Sequence, residues 1–197
     1  GILAMTVLMT SVMSGVSIVW DREFGFLKEV LVSPLSRSGV LVGKAVGAAT
    51  IAIIQGAIML VLAPIVNVPI TLGTVLALLP LLLILSLSLS GLGLLIGARM
   101  RSQQGFQIVM QLVIFPMMFL SGIFFPVSGV ATWLGVLSKL NPVTYGIDAI
   151  RQVFLGTEVA GVTVFGHTMG IVDSAIVVAM VGAVLLTTAI WVFNRQE

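Results

Sequence analysis

Long stretches without a charged residue alternate with short polar segments along this chain, and the alternation predicts its architecture. Four windows contain no Asp, Glu, Lys or Arg: residues 1–20, 45–98, 102–138 and 174–194. A helix rising 1.5 Å per residue needs about 20 apolar residues to cross a hydrocarbon core of about 30 Å. The longest window has room for two crossings, and Pro64, Asn67 and Pro69 mark a turn near its middle. The pattern predicts five membrane spans, at about 1–20, 45–64, 73–97, 104–122 and 174–194.

These spans are expected to be helical, because lipid offers the backbone no hydrogen-bond partner and the apolar runs are continuous rather than alternating. We therefore expect an all-α integral membrane protein, a helical bundle that forms a single transmembrane domain over residues 1–197. The first window begins in the middle of a hydrophobic pattern and has no charged n-region or cleavage-site signature, so it is not a signal peptide. We expect one more span before it, giving six in the full-length protein with both ends on the same side.

Composition excludes most other classes of protein. The chain is 59% hydrophobic and only 8% charged, with a mean hydropathy of +1.24, whereas soluble domains carry about 25% charged residues. A water-soluble enzyme and a disordered tail are excluded, and a net charge of +2 is too small to build a nucleic-acid-binding surface. Without cysteine there is no disulfide or thiolate site. His167 has no Cys, Asp or Glu at ligand spacing, so we expect neither a metal site nor catalytic residues.

The distribution of cations predicts the orientation in the membrane. Seven of the nine Lys and Arg residues fall in the loops 21–44 and 99–101 and in the C-terminal tail. The other set of loops holds only Lys139 and Arg151. Because cytoplasmic loops carry the excess of positive charge, we expect the 21–44 loop and the C-terminus in the cytoplasm. The segment 123–172 then faces outside.

The cytoplasmic loop 21–44 carries an amphipathic pattern. Asp21 can cap a helix, and the apolar positions of that helix recur at i, i+3 and i+7: Phe24, Leu27 and Leu31. Ser33 and Pro34 would end it. A helix of this kind lies along the membrane surface with its polar face toward the cytosol. From these residues alone, a surface for a partner and a loop that merely joins two spans are equally supported.

Three blocks of this sequence, residues 22–35, 120–126 and 140–151, together resemble one family. That family is the type-2 ATP-binding-cassette (ABC) exporter permeases, which include bacterial drug, lipo-oligosaccharide and polysaccharide exporters. Residues 22–35 (REFGFLKEVLVSPL), continued by Gly43 and Lys44, resemble the loop after the family's second span. Residues 120–126 (LSGIFFP) resemble the turn after the fifth span, and residues 140–151 (LNPVTYGIDAIR) the external segment before the sixth. The resemblance covers the whole chain, with the family's first span and N-terminal interfacial helix absent.

The resemblance implies the permease subunit of an ATP-driven exporter in the cytoplasmic membrane of a bacterium or archaeon. Such a subunit moves an amphiphilic or apolar substrate, such as a drug, an antibiotic, a lipid-linked sugar or an oligosaccharide, out of the cytoplasm. Its expected partners are a cytoplasmic ABC ATPase, a second permease copy (most simply a homodimer) and the lipid bilayer. ATP and magnesium would bind to the ATPase and no cofactor to this chain, which has no Gly-x-x-x-x-Gly-Lys-Ser/Thr loop.

The resemblance implies that a helix over residues 21–35 of this chain transmits the motion of the ATPase to the spans. The coupling residues implied by the resemblance are Arg22, Glu23, Phe24, Gly25, Leu27, Lys28 and Glu29. The resemblance also implies that residues 123–155 form re-entrant helices that close the outer exit. Asn141 can cap the second of these helices, with Pro142 at its first position, and Asp148 can pair with Arg151 at i, i+3. The expected external gate residues are Phe124, Phe125, Pro126, Asn141, Pro142, Tyr145, Asp148 and Arg151.

Polar residues inside the spans are candidates for the substrate path. Gln104, Gln107 and Gln111 share one face of the fourth visible span, and Gln55 lies in the second. Such groups either form hydrogen bonds to neighbouring helices, each stabilising the bundle by about 0.6 kcal/mol, or line a substrate path between two permease copies. Small residues at i, i+4, such as Gly93 and Gly97, favour close helix packing within the subunit.

Two other functions remain open at this stage. A stand-alone secondary carrier or channel would need an inverted repeat or charged residues deep in the spans, and the sequence shows neither. A membrane assembly protein without transport activity is the second alternative.

Overall fold

The computed structural model describes residues 1–25, 36–66, 70–124, 132–156, 162–164 and 167–195, and most of these residues are helical. The helices are α1 (Ile2–Met13), α2 (Val16–Glu23), α3 (Arg37–Leu62), α4 (Leu72–Arg99), α5 (Gln103–Leu120), α6 (Thr132–Leu140), α7 (Pro142–Leu155) and α8 (Ile171–Asn194). A 3₁₀ turn (Ala63–Val66) extends α3, and the strands β1 (Thr163–Val164) and β2 (His167–Thr168) form a small antiparallel hairpin before α8.

Among the described residues, five helical segments are long and apolar enough to cross a membrane: Ile2–Glu23, Ser38–Ile65, Leu72–Arg99, Gln103–Leu120 and Ile171–Asn194. The first combines α1 and α2. The expected all-α membrane fold is therefore confirmed. The second span begins well before residue 45, because Ser36 caps α3 by accepting a hydrogen bond from the Gly39 N–H at 3.2 Å. As a result Lys44, expected at the end of a loop, lies inside α3.

The long central helix α4 packs against α1, α2, α3, α7 and α8. The main core lies along its inner face, where it meets fully buried side chains of other helices, including Val7, Leu8, Phe106 and Met110. Its closest contact is with the junction of α1 and α2. A Cβ atom on Gly93 would overlap the carbonyl of Val12, and one on Gly97 would overlap that of Gly15. The expectation that this glycine pair packs within the subunit is confirmed.

The two ends of the bundle differ in charge. One end carries Arg22, Lys44, Arg99, Arg101 and Arg195, and we call it the basic end. The C-terminus of α2, the start of α3 and the turn between α4 and α5 meet there. The opposite end holds the start of α1, the end of α5 and the corner between α6 and α7, which are joined by hydrogen bonds described below.

Candidate functional site

The C-terminus of α2, where the expected coupling segment begins, is bonded to three other helices at the basic end. Helix α2 runs through Asp21 and ends at Glu23, and Phe24 is its C-terminal cap residue. The expectation that Asp21 starts a new helix is wrong, because its carboxylate pairs with Lys44 on α3 at 2.8 Å instead of capping backbone N–H groups. Lys44 also donates to the Ser17 hydroxyl at 3.0 Å. These contacts fasten α2 to α3.

Arg22 caps the C-terminal end of α4. Its guanidinium donates from Nη1 to the Met100 carbonyl at 2.7 Å and from Nη2 to the Ala98 carbonyl at 2.9 Å. The last carbonyls of a helix have no partner within that helix and carry its negative partial charge. A forked cation is therefore well suited to this position.

Glu23, the next residue, binds the start of α5. Its Oε2 atom accepts a hydrogen bond from the Gln103 N–H at 3.2 Å, and Gln103 is the first residue of α5. A carboxylate at a helix N-terminus is favoured by the free N–H groups and by the positive end of the helix dipole. Arg22 and Glu23 thus hold both sides of the turn 100–102, and we call this arrangement the turn clamp.

Beyond the turn clamp the chain turns away from α2. Gly25 has φ +78°, a left-handed conformation that only glycine adopts without strain. The Phe24 side chain is 79% exposed. The other expected coupling residues, Leu27, Lys28 and Glu29, lie outside the described residues, as do Leu31, Ser33 and Pro34.

The four glutamines expected along the substrate path have two different environments. Gln55 is half-buried, and its Nε2 atom donates to the Thr10 hydroxyl at 3.1 Å, which joins α3 to α1. This contact supports the interhelical interpretation for Gln55. Gln104, Gln107 and Gln111 are all exposed on α5, next to a row of exposed apolar side chains: Ile108, Leu112, Phe115 and Phe119.

At the opposite end, the corner between α6 and α7 caps the C-terminus of α5. The Asn141 Nδ2 atom donates to the Met117 carbonyl at 2.7 Å. The Ser138 hydroxyl donates to the Leu120 carbonyl at 2.6 Å, and Arg151 Nη2 to the Gly122 carbonyl at 2.8 Å. Asn141 also caps α7 as expected, because its Oδ1 atom accepts from the Val143 N–H at 3.1 Å and Pro142 is the first helical residue.

Asp148 and Arg151 have separate partners rather than each other. The Asp148 Oδ2 atom, in a residue only 7% exposed, accepts from Gln152 Nε2 at 2.8 Å and from the Val162 N–H at 3.1 Å. Gln152 also donates to the Met169 carbonyl at 2.8 Å. The buried pair therefore fastens the segment before α8 to α7. Sequence reasoning missed Gln152, although its position one turn after Asp148 is a usable signal.

The aromatic residues of this region are used for packing. The Tyr145 hydroxyl donates to the Lys139 carbonyl at 2.7 Å, and burial raises the pKa of this phenol above its ordinary value, which keeps the donor protonated. The Phe124 ring lies 5.6 Å from that of Phe119, measured between centroids. Phe125 and Pro126 lie outside the described residues. In the described part of the chain, no three His, Cys, Asp or Glu side chains come together as a metal site would require.

The described residues contain five apolar helical segments long enough to span a membrane, which define a polytopic helical membrane protein. Residues 1–155 match the ABC-2 type transporter family, and the chain belongs to this family. It is similar to the probable multidrug ABC transporter permease YbhR of Escherichia coli K12, with 33% identity over 73% of this chain and 39% of that protein.

Two further relatives match most of this chain. The putative transport permease ycf38 of Porphyra purpurea is 27% identical over 80% of this chain and 55% of its own length. Nodulation protein J of Rhizobium leguminosarum bv. viciae is 32% identical over 68% of this chain and 51% of its own length. The chain thus spans about two fifths to one half of these curated relatives.

Proposed function

We propose that this chain is part of the permease subunit of an ABC exporter in a cell membrane, driven by a separate ATPase. The observation that carries the proposal is the construction of the basic end. There, a segment similar to the family's coupling loop leaves α2 beside an exposed Phe24, while Asp21, Arg22 and Glu23 bind three other helices. A partner that grips the loop could pull on the spans through these contacts.

The expected docking site for the ATPase begins at Phe24. An aromatic side chain exposed to 79% at the basic end is a suitable anchor for a partner pocket, since aromatic residues dominate such contacts. The charges that surround it favour orientation and fast encounter more than affinity. ATP and magnesium would be bound by that partner.

The exposed face of α5 is the proposed contact with a second permease copy. The same face would line one side of the substrate path between the two copies. Gln111 lies eight residues into α5, about 12 Å from its start. If α5 spans the membrane, its exposed amide would lie well inside the hydrocarbon layer. Such an amide is unfavourable against lipid, and polar side chains there normally face other helices or a wet cavity. A second copy, most simply an identical one, would shield the three glutamines.

The proposed substrates are amphiphilic or apolar. In the described spans the charged side chains lie toward the helix ends, as with Asp21, Lys44 and Arg99. A path between glutamines and apolar residues can solvate a molecule of mixed polarity without binding an ion tightly. The name of the relative YbhR, a probable multidrug permease, agrees with this choice.

The proposal is tested with the tagged full-length protein, purified from its own host. We expect an ABC ATPase to co-purify, and inside-out vesicles to accumulate a fluorescent amphiphile only when ATP is supplied. Phe24→Asp should reduce the co-purified ATPase strongly. Leu155→Ala, which alters an exposed apolar residue at the opposite end, should leave it unchanged. Transport that continues without ATP, with no ATPase bound, would instead support a stand-alone carrier.

A further inference from the structure

Arg22 and Glu23 are bonded to backbone groups of their own chain at both sides of one short turn. Arg22 binds the Ala98 and Met100 carbonyls, and Glu23 binds the Gln103 N–H. Each charge is opposite to the partial charge of the helix end that it meets. Two neighbouring residues therefore connect the end of α2 to the end of α4 and to the start of α5.

We propose that Arg22 and Glu23 are positioning residues that transmit movement of α2 to the N-terminus of α5. In this role they act through the turn clamp and not by contact with the ATPase. The inference rests on the proposed function, because it assigns a route for the force that the ATPase would supply.

The packing around the turn clamp makes α5 the helix that responds. Helix α2 is in backbone contact with α4 where Gly15 meets Gly97, so these two elements form a stiff pair. Helix α5 is the least buried of the five spans. Of the residues in its apolar stretch 22% are buried, against 28–44% in the other spans. A displacement of the stiff pair is therefore passed most easily to α5.

The start of α5 depends on the turn clamp for one of its caps. Ser102 accepts from the Gly105 N–H at 3.2 Å, while the Gln103 N–H is bound by Glu23. Gln104 follows directly, and it begins the exposed glutamine face. Movement of Glu23 would therefore tilt the helix that carries Gln104, Gln107 and Gln111.

The test removes the contact from each side in turn, in the full-length protein with its ATPase. Glu23→Ala removes the acceptor. Gln103→Pro removes the donor, and proline is well tolerated there because residue 103 is the first helical position and Ser102 has extended backbone (φ −133°, ψ 144°). Leu72→Pro, the first position of α4 after an extended Thr71, is the matched control. Glu23→Gln keeps an oxygen acceptor and serves as the conservative variant.

We expect Glu23→Ala and Gln103→Pro each to lower the substrate transported per ATP hydrolysed by about three- to tenfold. The double variant should lose no more than either single variant, since both remove one contact. ATPase co-purification and melting temperature should stay near those of the unmodified protein. Glu23→Gln and Leu72→Pro should retain most of the coupling.

Three results would overturn the inference. Normal coupling in Gln103→Pro beside a defect in Glu23→Ala would show that Glu23 acts elsewhere, for example on the ATPase. Additive defects in the double variant would show two independent roles. Loss of the bound ATPase in Gln103→Pro would assign the contact to docking. Failure of the proposed function itself is seen separately, as an unmodified protein that binds no ATPase.

Discussion

The Asn141 side chain donates to the Met117 carbonyl at 2.7 Å while its own oxygen caps α7, so one residue joins the end of α5 to the start of α7. The bond crosses 24 residues of sequence. Because the end of α5 is also bonded to Ser138 and Arg151, this corner holds the part of α5 that lies farthest from the turn clamp. Helix α5 is thus fastened at both ends, and its glutamine face between them is exposed.

Asn141→Ala is expected to lower stability more than the loss of an ordinary cap. Loss of the cap costs about 1 kcal/mol, and the Met117 carbonyl also loses its side-chain donor. The matched control is Thr71→Ala, which removes the cap of α4 and a hydrogen bond to the Thr74 hydroxyl, both local and at an exposed position. Thermal unfolding in detergent should show the larger drop for Asn141→Ala. Equal drops would mean that the bond to Met117 adds nothing.

The glycine contacts between α4 and the α1–α2 junction should not tolerate a methyl group. Gly93→Ala forces a Cβ atom against the Val12 carbonyl, and overpacking of this kind costs about 1–3 kcal/mol. At Gly43 an added Cβ meets nothing within 4 Å, and alanine favours a helix more than glycine does. We expect Gly93→Ala to reduce the folded yield and the melting temperature, and Gly43→Ala to leave both intact. The reverse order would contradict the observed packing.

Asp148→Ala should loosen the segment before α8. The substitution removes the acceptor for Gln152 and for the Val162 N–H, and hydrogen bonds to a charged group contribute about 1.5–3 kcal/mol each. We expect faster proteolysis between α7 and α8 in right-side-out membrane vesicles. Thr168→Ala, which alters an exposed side chain of the same segment, is the control and should be cleaved at the original rate. An unchanged rate in Asp148→Ala would show that other contacts hold the segment.

Gly25→Pro is expected to uncouple transport from ATP hydrolysis while the protein remains folded and inserted. Proline fixes φ near −65°, whereas residue 25 has φ +78°, so the coupling loop would leave α2 in a different direction. Asparagine tolerates the left-handed region better than other non-glycine residues do, so Gly25→Asn should keep more transport activity than Gly25→Pro. Transport and ATPase rates in vesicles measure both effects. Normal export by Gly25→Pro would refute a coupling role for this loop.

The spans could be predicted from sequence because the hydrocarbon layer demands long apolar helices, and the charge-free windows show where they lie. The expected coupling residues came from resemblance, and the resemblance did not show that the partners of Arg22 and Glu23 are backbone groups of a distant turn. Backbone carbonyls and N–H groups have no signature in the sequence. For the same reason the bond from the Val162 N–H to Asp148 could not be predicted, because it depends on tertiary structure.

The exposed glutamine face of α5 should cross-link between two permease copies. This part of the protein contains no cysteine, so a single cysteine at Gln111 reports on one surface once any cysteine elsewhere in the full-length protein has been replaced. If a second copy shields this face, an oxidant or a short bifunctional thiol reagent should convert Gln111→Cys into a dimer in membranes. Ile54→Cys, exposed to 53% on α3, is the control for random collision in the bilayer. Equal cross-linking at both positions, or a dimer only with Ile54→Cys, would remove α5 from the proposed interface and leave its glutamines without a protein partner.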